Sequence, residues 1–267
     1  MAKSIETNKP NWAEMLTQAL TMPGKLSTAY RVFRNYSTGN QVLATVQLMM
    51  RGMEISPIAS FSKWKELGRS VKKGEKAIEL CMPVTVKGKK EEGKSDNPDK
   101  PKSFMFFALR KNWFSLEQTE GADFQFEAKS PEWNKELALA KLEIQQVPFH
   151  HDSGNCQGYA QGKTVAVNPV AALPHKTLFH ELAHVVLGHT GDASVMADTP
   201  EISRCIKEVE AEATAYLCCA TLELPGMEES RGYIQHWLGD QEFPDASARR
   251  VFSAVDKILK AGSPATE

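Results

Sequence analysis

Apolar positions recur at helical spacing over residues 40–53, where Val42, Leu43, Val46, Met49, Met50 and Met53 make one face. An earlier helix is expected over 10–21, PNWAEMLTQALT, with Pro10 suited to its opening turn. SFSKWKELG reads as a short helix capped by Ser60 or Ser62 and stopped by Gly68. From residue 69 the period changes to alternation. GRSVKKGEKAIELCMPVTVK gives a basic turn and a strand, and KSFMFFALRKNWF a return strand. The intervening stretch, 88–102, has no apolar residue to offset the entropy of ordering, so a mobile loop is expected there.

After a junction at 122–134 the helical period returns. Helices are expected at about 131–143, 173–189, 200–222, 227–239 and 245–261, with a short hairpin in QGYAQGKTVAVNPV over 157–170. The pattern predicts an α+β protein of two domains. Residues 1–121 form a basic α+β domain, and 122–267 a mostly helical one with a small edge sheet.

Composition changes this picture in one respect. Residues 1–122 hold 20 Lys and Arg against 12 Asp and Glu, a net +8, whereas 123–267 hold 12 against 21, a net −9. The basic half is therefore a candidate for a polyanionic partner. The 42% hydrophobic and 24% charged content is that of a globular protein. No apolar run approaches the ~20 residues of a membrane span, and the N-terminus lacks the layout of a secretory signal, so a cytoplasmic protein without a membrane partner is expected. Cys81, Cys156, Cys205, Cys218 and Cys219 are odd in number and contain no CxxC, which excludes a disulfide framework and a cysteine-rich zinc knuckle.

The candidate chemistry lies in LPHKTLFHELAHVVLGH, which contains HExxH. On a helix His180 and His184 stand one turn apart on one face, so their imidazoles can converge on one ion. Glu181 beside them is placed to accept a proton from an attacking water. A catalytic zinc takes a third protein ligand, and the next helix, ISRCIKEVEAEATAYLCCATL, offers Glu208, Glu210 and Glu212 on an otherwise apolar segment. Glu208 and Glu212 face the same way, so one can bind the metal while the other orients a ligand imidazole. Glu208 is the first choice of ligand, with Glu212 and His189 as alternatives. Two histidines and a carboxylate favour one Zn2+ per chain, although Mn2+ or Co2+ can occupy such a set.

HELAHVVLGH followed by EVEAEATAY resembles the gluzincin-type pattern of zincin metallopeptidases, including the ImmA/IrrE group. That resemblance implies Glu208 as the third ligand and an orienting role for Glu212. GYAQGKTVAVNP resembles the edge strand on which such enzymes align an extended substrate.

In the basic half, YRVFRNYSTGNQ and SFSKWKELGRSVKKGEK interleave aromatics with Arg and Lys, a mixture suited to single-stranded nucleic acid. YRVFRNYSTGNQVL, FSKWKELGRSVKKGEKAIELCMPV and FALRKNWFSLEQTEG resemble the N-terminal domain of ArdC-type antirestriction proteins. In that family a single-stranded-DNA-binding domain is joined to a metallopeptidase-like domain, and the proteins protect incoming plasmid or phage DNA. The resemblance implies DNA contacts at Arg34, Tyr36, Asn40, Trp64, Arg69, Lys72, Lys73 and Lys76, and a protein substrate of unknown identity. Two other functions stay open: a non-catalytic strand-coating protein with a structural or vestigial zinc, and a regulatory protease that cuts one repressor.

Overall fold

In the computed structural model, residues 10–87, 103–128, 130–150, 155–191, 203–238 and 243–264 are described. The expected loop at 88–102 lies outside them. The described chain divides into two units, 10–11 with 56–124 and the interleaved pair 12–55 with 125–264.

The alternating segments form the first unit. β3 (Ile78–Lys87) pairs antiparallel with β4 (Ser103–Ser115), and β1 (Ile58–Ser60) lies along the other side of β4. β2 (Arg69–Val71) pairs antiparallel with β5 (Thr119–Gly121). Between β1 and β2 runs α4 (Phe61–Glu66), capped by Ser60, whose Oγ accepts from the Lys63 N–H at 3.3 Å. Gly68 follows at φ +73°, a left-handed turn that glycine makes without strain.

Trp64 anchors this unit. It is 1% exposed, donates Nε1–H to the Phe114 carbonyl at 2.8 Å, and meets Phe124 edge-on at 5.3 Å between ring centroids. Trp64→Ala is expected to destabilise the unit by about 3–5 kcal/mol, the usual cost of removing a buried tryptophan. Urea unfolding followed by far-UV circular dichroism checks this, and an unchanged midpoint would count against it.

The second unit is built around α7 (Arg204–Leu222), whose residues from Val209 to Thr221 are all buried. Packed on it are α1 (Trp12–Leu20), α2 (Pro23–Val32), α6 (Pro174–Val186), α8 (Met227–Leu238) and α9 (Asp245–Gly262). α3 (Thr38–Met50) and α5 (Lys135–Leu142) pack on α9. A small sheet has the order β6–β8–β7, with β6 at Gln145–Gln146, β7 at Gly158–Gln161 and β8 at Thr164–Val167.

Two expectations are corrected here. Residues 12–55 were expected within the basic domain, but they belong to the helical unit. Met15, Leu16, Ala19, Leu26 and Val42 join the core of α7 and α9, and Tyr216 donates its hydroxyl to the Leu20 carbonyl at 2.7 Å. Asp256 accepts from both the N–H and hydroxyl of Thr38 at 2.7 Å. An apolar stripe says that a helix packs, not which helix it meets. The second correction is α2 itself, which the periodicity did not indicate. Charge still separates after reassignment: residues 1–11 and 56–124 hold 16 Lys and Arg against 11 Asp and Glu, and the remainder 16 against 22. Among the described residues no helix is long and apolar enough to cross a membrane.

Candidate metal centre

α6 begins at Pro174, whose missing N–H costs nothing in the first turn, and buries Leu178, Phe179, Leu182 and Ala183. Its other face carries His180 and His184. Their Nε2 atoms lie 3.1 Å apart, and Glu208 Oε2 on α7 is 3.5 Å from the first and 3.7 Å from the second. Four donors ~2.0–2.2 Å from a tetrahedral ion would stand ~3.3–3.6 Å from one another, so this triangle has the right size for one ion. Among the described residues these three form the one such group.

His180 presents its Nε2 to this point because its Nδ1 is bound by Glu212 Oε2 at 2.9 Å. Lys176 Nζ lies 2.6 Å from the other oxygen of Glu212, an ion pair rather than a well-directed hydrogen bond. Burial by itself would raise the pKa of Glu212, but His180 and Lys176 hold it down to about 2. Burial would lower that of His180, yet Glu208, Glu212 and the charge of Glu181 push it up to about 9. Hydrogen bonds to both histidines hold Glu208 well below the usual carboxylate range.

A consequence follows for metal loading. Below pH 9 the metal-free His180 carries a proton that an incoming ion must displace. Loading at pH 7 is therefore expected to release about one proton per ion, with apparent affinity rising toward pH 9. Calorimetric titration in two buffers of different ionisation enthalpy reads this directly, and identical heats would contradict it. The sign for stability of the metal-free fold is opposite. The His180 contribution is full below its ordinary 6.5 and is lost as pH rises through about 9.

Glu181 is 7% exposed and its carboxyl is raised by burial and by the charge of Glu208, against the two histidines. It borders the start of β7. A Cβ on Gly158 would stand 3.1 Å from Glu181 Oε1, 2.6 Å from the Thr177 methyl and 2.9 Å from the Ala166 carbonyl oxygen. Glycine here is a requirement of close approach, and it brings the edge strand of the small sheet beside the carboxylate. His189, an alternative ligand by sequence, is not one: both its ring nitrogens are engaged, by His184 and by Glu210.

The eight expected DNA contacts separate into three sets. Trp64 and Asn40 are buried, so neither offers a face to a strand, and Arg69 donates to Thr119 Oγ1, the Thr119 carbonyl and the Ala122 carbonyl, clasping β2 to β5. These three serve the fold. Lys72, Lys73 and Lys76 are exposed on the turn after β2. Arg34 and Tyr36 lie on the helical unit instead, where they line a concavity with Tyr30, Lys141 and Lys260. The last two were not foreseen, because 141 and 260 are remote from the motif in sequence.

Residues 1–114 match the family model for the N-terminal domain of anti-restriction factor ArdC. Two crystal structures of the antirestriction ArdC protein from the R388 plasmid have a similar fold. The metal-free form is 20% identical, with a TM-score of 0.52 and 94% of each chain covered. The Mn(II)-bound form is 19% identical, with a TM-score of 0.56, covering 95% of this chain and 96% of that one. No curated protein sequence matches the chain.

Proposed function

We propose that this chain is of the ArdC antirestriction type, binds single-stranded DNA and carries a single-ion metallopeptidase centre of the HExxH kind, a reading supported by the match over residues 1–114 and by the similar fold. The observation that carries the enzymatic part is the convergence of His180, His184 and Glu208 with Glu181 alongside and β7, an edge strand among the described residues, beside it. The donor set favours zinc, and manganese is admitted by the Mn(II)-bound R388 relative. When bound, such an ion supplies Lewis acidity, acidifying water and polarising a carbonyl. The chain supplies the rest. Glu181 accepts the proton of the attacking water and passes it to the departing amine. Glu212 holds His180 in place, and β7 aligns an extended peptide by backbone pairing.

For DNA, the exposed Lys72, Lys73 and Lys76 follow phosphates, as do Arg34, Lys141 and Lys260 around the two tyrosine rings of the helical unit. Reversing the three turn lysines to glutamate is expected to weaken binding to a labelled single strand by at least about tenfold at low salt. It should also reduce the slope of log affinity on log salt by about 2. Fluorescence anisotropy across a salt series measures both, and an unaltered slope would remove the turn from the interface. The proposal as a whole is tested by metal analysis of the purified chain together with protection of transferred DNA against a restricting host. One ion per chain and protection support it. A chain that takes up no divalent ion loses the enzymatic half.

A further inference from the structure

We infer that His189, Glu210 and Arg250 form a positioning chain that fixes the tautomer of His184 and turns its Nε2 lone pair toward the metal, an inference that rests on the metal-centre reading above. The chain starts from backbone geometry. α6 ends at Val186 with Leu187 as its cap, and Gly188 at φ +75° reverses the direction of the backbone. The Gly188 N–H bonds the Val185 carbonyl at 3.0 Å, and the His189 N–H bonds the His184 carbonyl at 2.8 Å. This paired closure brings the residue after the glycine back over the last turn, where an apolar side chain commonly packs. Here it is an imidazole, 3% exposed, with Nδ1 3.0 Å from the Nδ1 of His184.

Hydrogen bonding then dictates every proton along the line. Glu210 is 0% exposed, and its Oε2 lies 2.8 Å from His189 Nε2. An ionised carboxylate only accepts, so His189 Nε2 carries the hydrogen and donates it. The Nδ1 of neutral His189 is then a lone pair and must accept. The hydrogen it accepts is that of His184 Nδ1, which leaves His184 Nε2 bare and facing Glu208 and His180. Arg250 on α9 closes the far end. It donates Nε–H to Glu210 Oε1 at 3.1 Å and an Nη2 hydrogen to Oε2 at 3.3 Å. The same Nη2 donates to the Leu187 carbonyl at 2.8 Å, the carbonyl at the end of α6. One guanidinium thus holds both the helix end that carries His189 and the carboxylate that orients it. His180 receives its orientation from a carboxylate directly, His184 from a carboxylate through a neutral imidazole.

The test compares His189→Leu with His189→Gln in the full chain, by competing Zn2+ and Co2+ against a chromophoric chelator and melting each metal-free protein. Leu cannot accept from His184, whereas the Gln amide can accept at oxygen and donate at nitrogen. Leu is expected to lower metal affinity about 10–100-fold and to alter the Co2+ visible band, while Gln stays within a few-fold of wild type. Should Leu prevent folding, His189→Asn replaces it, polar but too short to bridge both partners. Wild-type affinity in the Leu or Asn variant overturns the inference, as does a Gln variant as weak as Leu. A wild type that binds no ion in the same titration overturns the metal-centre reading itself, and the inference with it.

Discussion

Glu181→Gln is expected to leave metal content, melting temperature and strand binding at wild-type levels while lowering peptide hydrolysis about 10²–10⁴-fold. The amide matches the carboxylate in shape, so the packing beside Gly158 and Thr177 is kept. Glu181 is outside the donor triangle, so the ion is kept as well. What disappears is the carboxylate beside the donor triangle, the group proposed above to take the proton from water. A fluorescent protein-substrate assay with metal-loaded enzyme measures the loss. Undiminished turnover would assign the base elsewhere. Restriction protection in the same variant has a separate meaning: if it persists, the strand-binding surfaces suffice for protection and hydrolysis serves another purpose.

The second large effect is on the ion. Glu208→Ala removes one donor of three and leaves two imidazoles 3.1 Å apart with no anionic partner at the metal point. Losing a residue that merely orients a ligand costs 10–100-fold in affinity, so losing the ligand itself should cost roughly 10³-fold. The substitution should be mild for the fold, because the Glu208 side chain is 21% exposed and contacts the histidines rather than the core. Mass spectrometry under native conditions is expected to find the wild type with one ion and the variant with none. A variant that retains its ion would transfer the third ligand to Glu212. Strand binding should be indifferent to the change, since Glu208 is neither on the turn after β2 nor among the residues that line the concavity of Arg34, Lys141 and Lys260.

Much of this centre was readable in the order of residues, because its geometry is local. HExxH on one helix and carboxylates four apart on the next need only the helical repeat to bring the right atoms to one face. Glu212 on His180 follows from the same repeat. Ser60 as a cap and Gly68 as a stop are equally local. Apart from α2, the failures are non-local. That Trp64 is core, that α1–α3 pack against α7 and α9, and that Arg250 closes on Glu210 depend on segments 40 to about 200 residues apart meeting in space. His189 is instructive because a signal did exist: Gly-His after a helix announces a backbone reversal that brings the histidine back to the last turn.

The interleaving of the two units has a consequence for the newly made chain. α1–α3 leave the ribosome well before the helices that cover their apolar faces, α7 and α9, which begin at Arg204 and Asp245. At elongation speeds of about 5–20 residues per second, the interval from Met50 to Arg204 is on the order of 10–30 s. Residues 56–124 are contiguous and can close their own core during that wait. The basic unit is thus in a position to mature on the nascent chain while the three amphipathic helices made before it still lack the helices that cover their apolar faces.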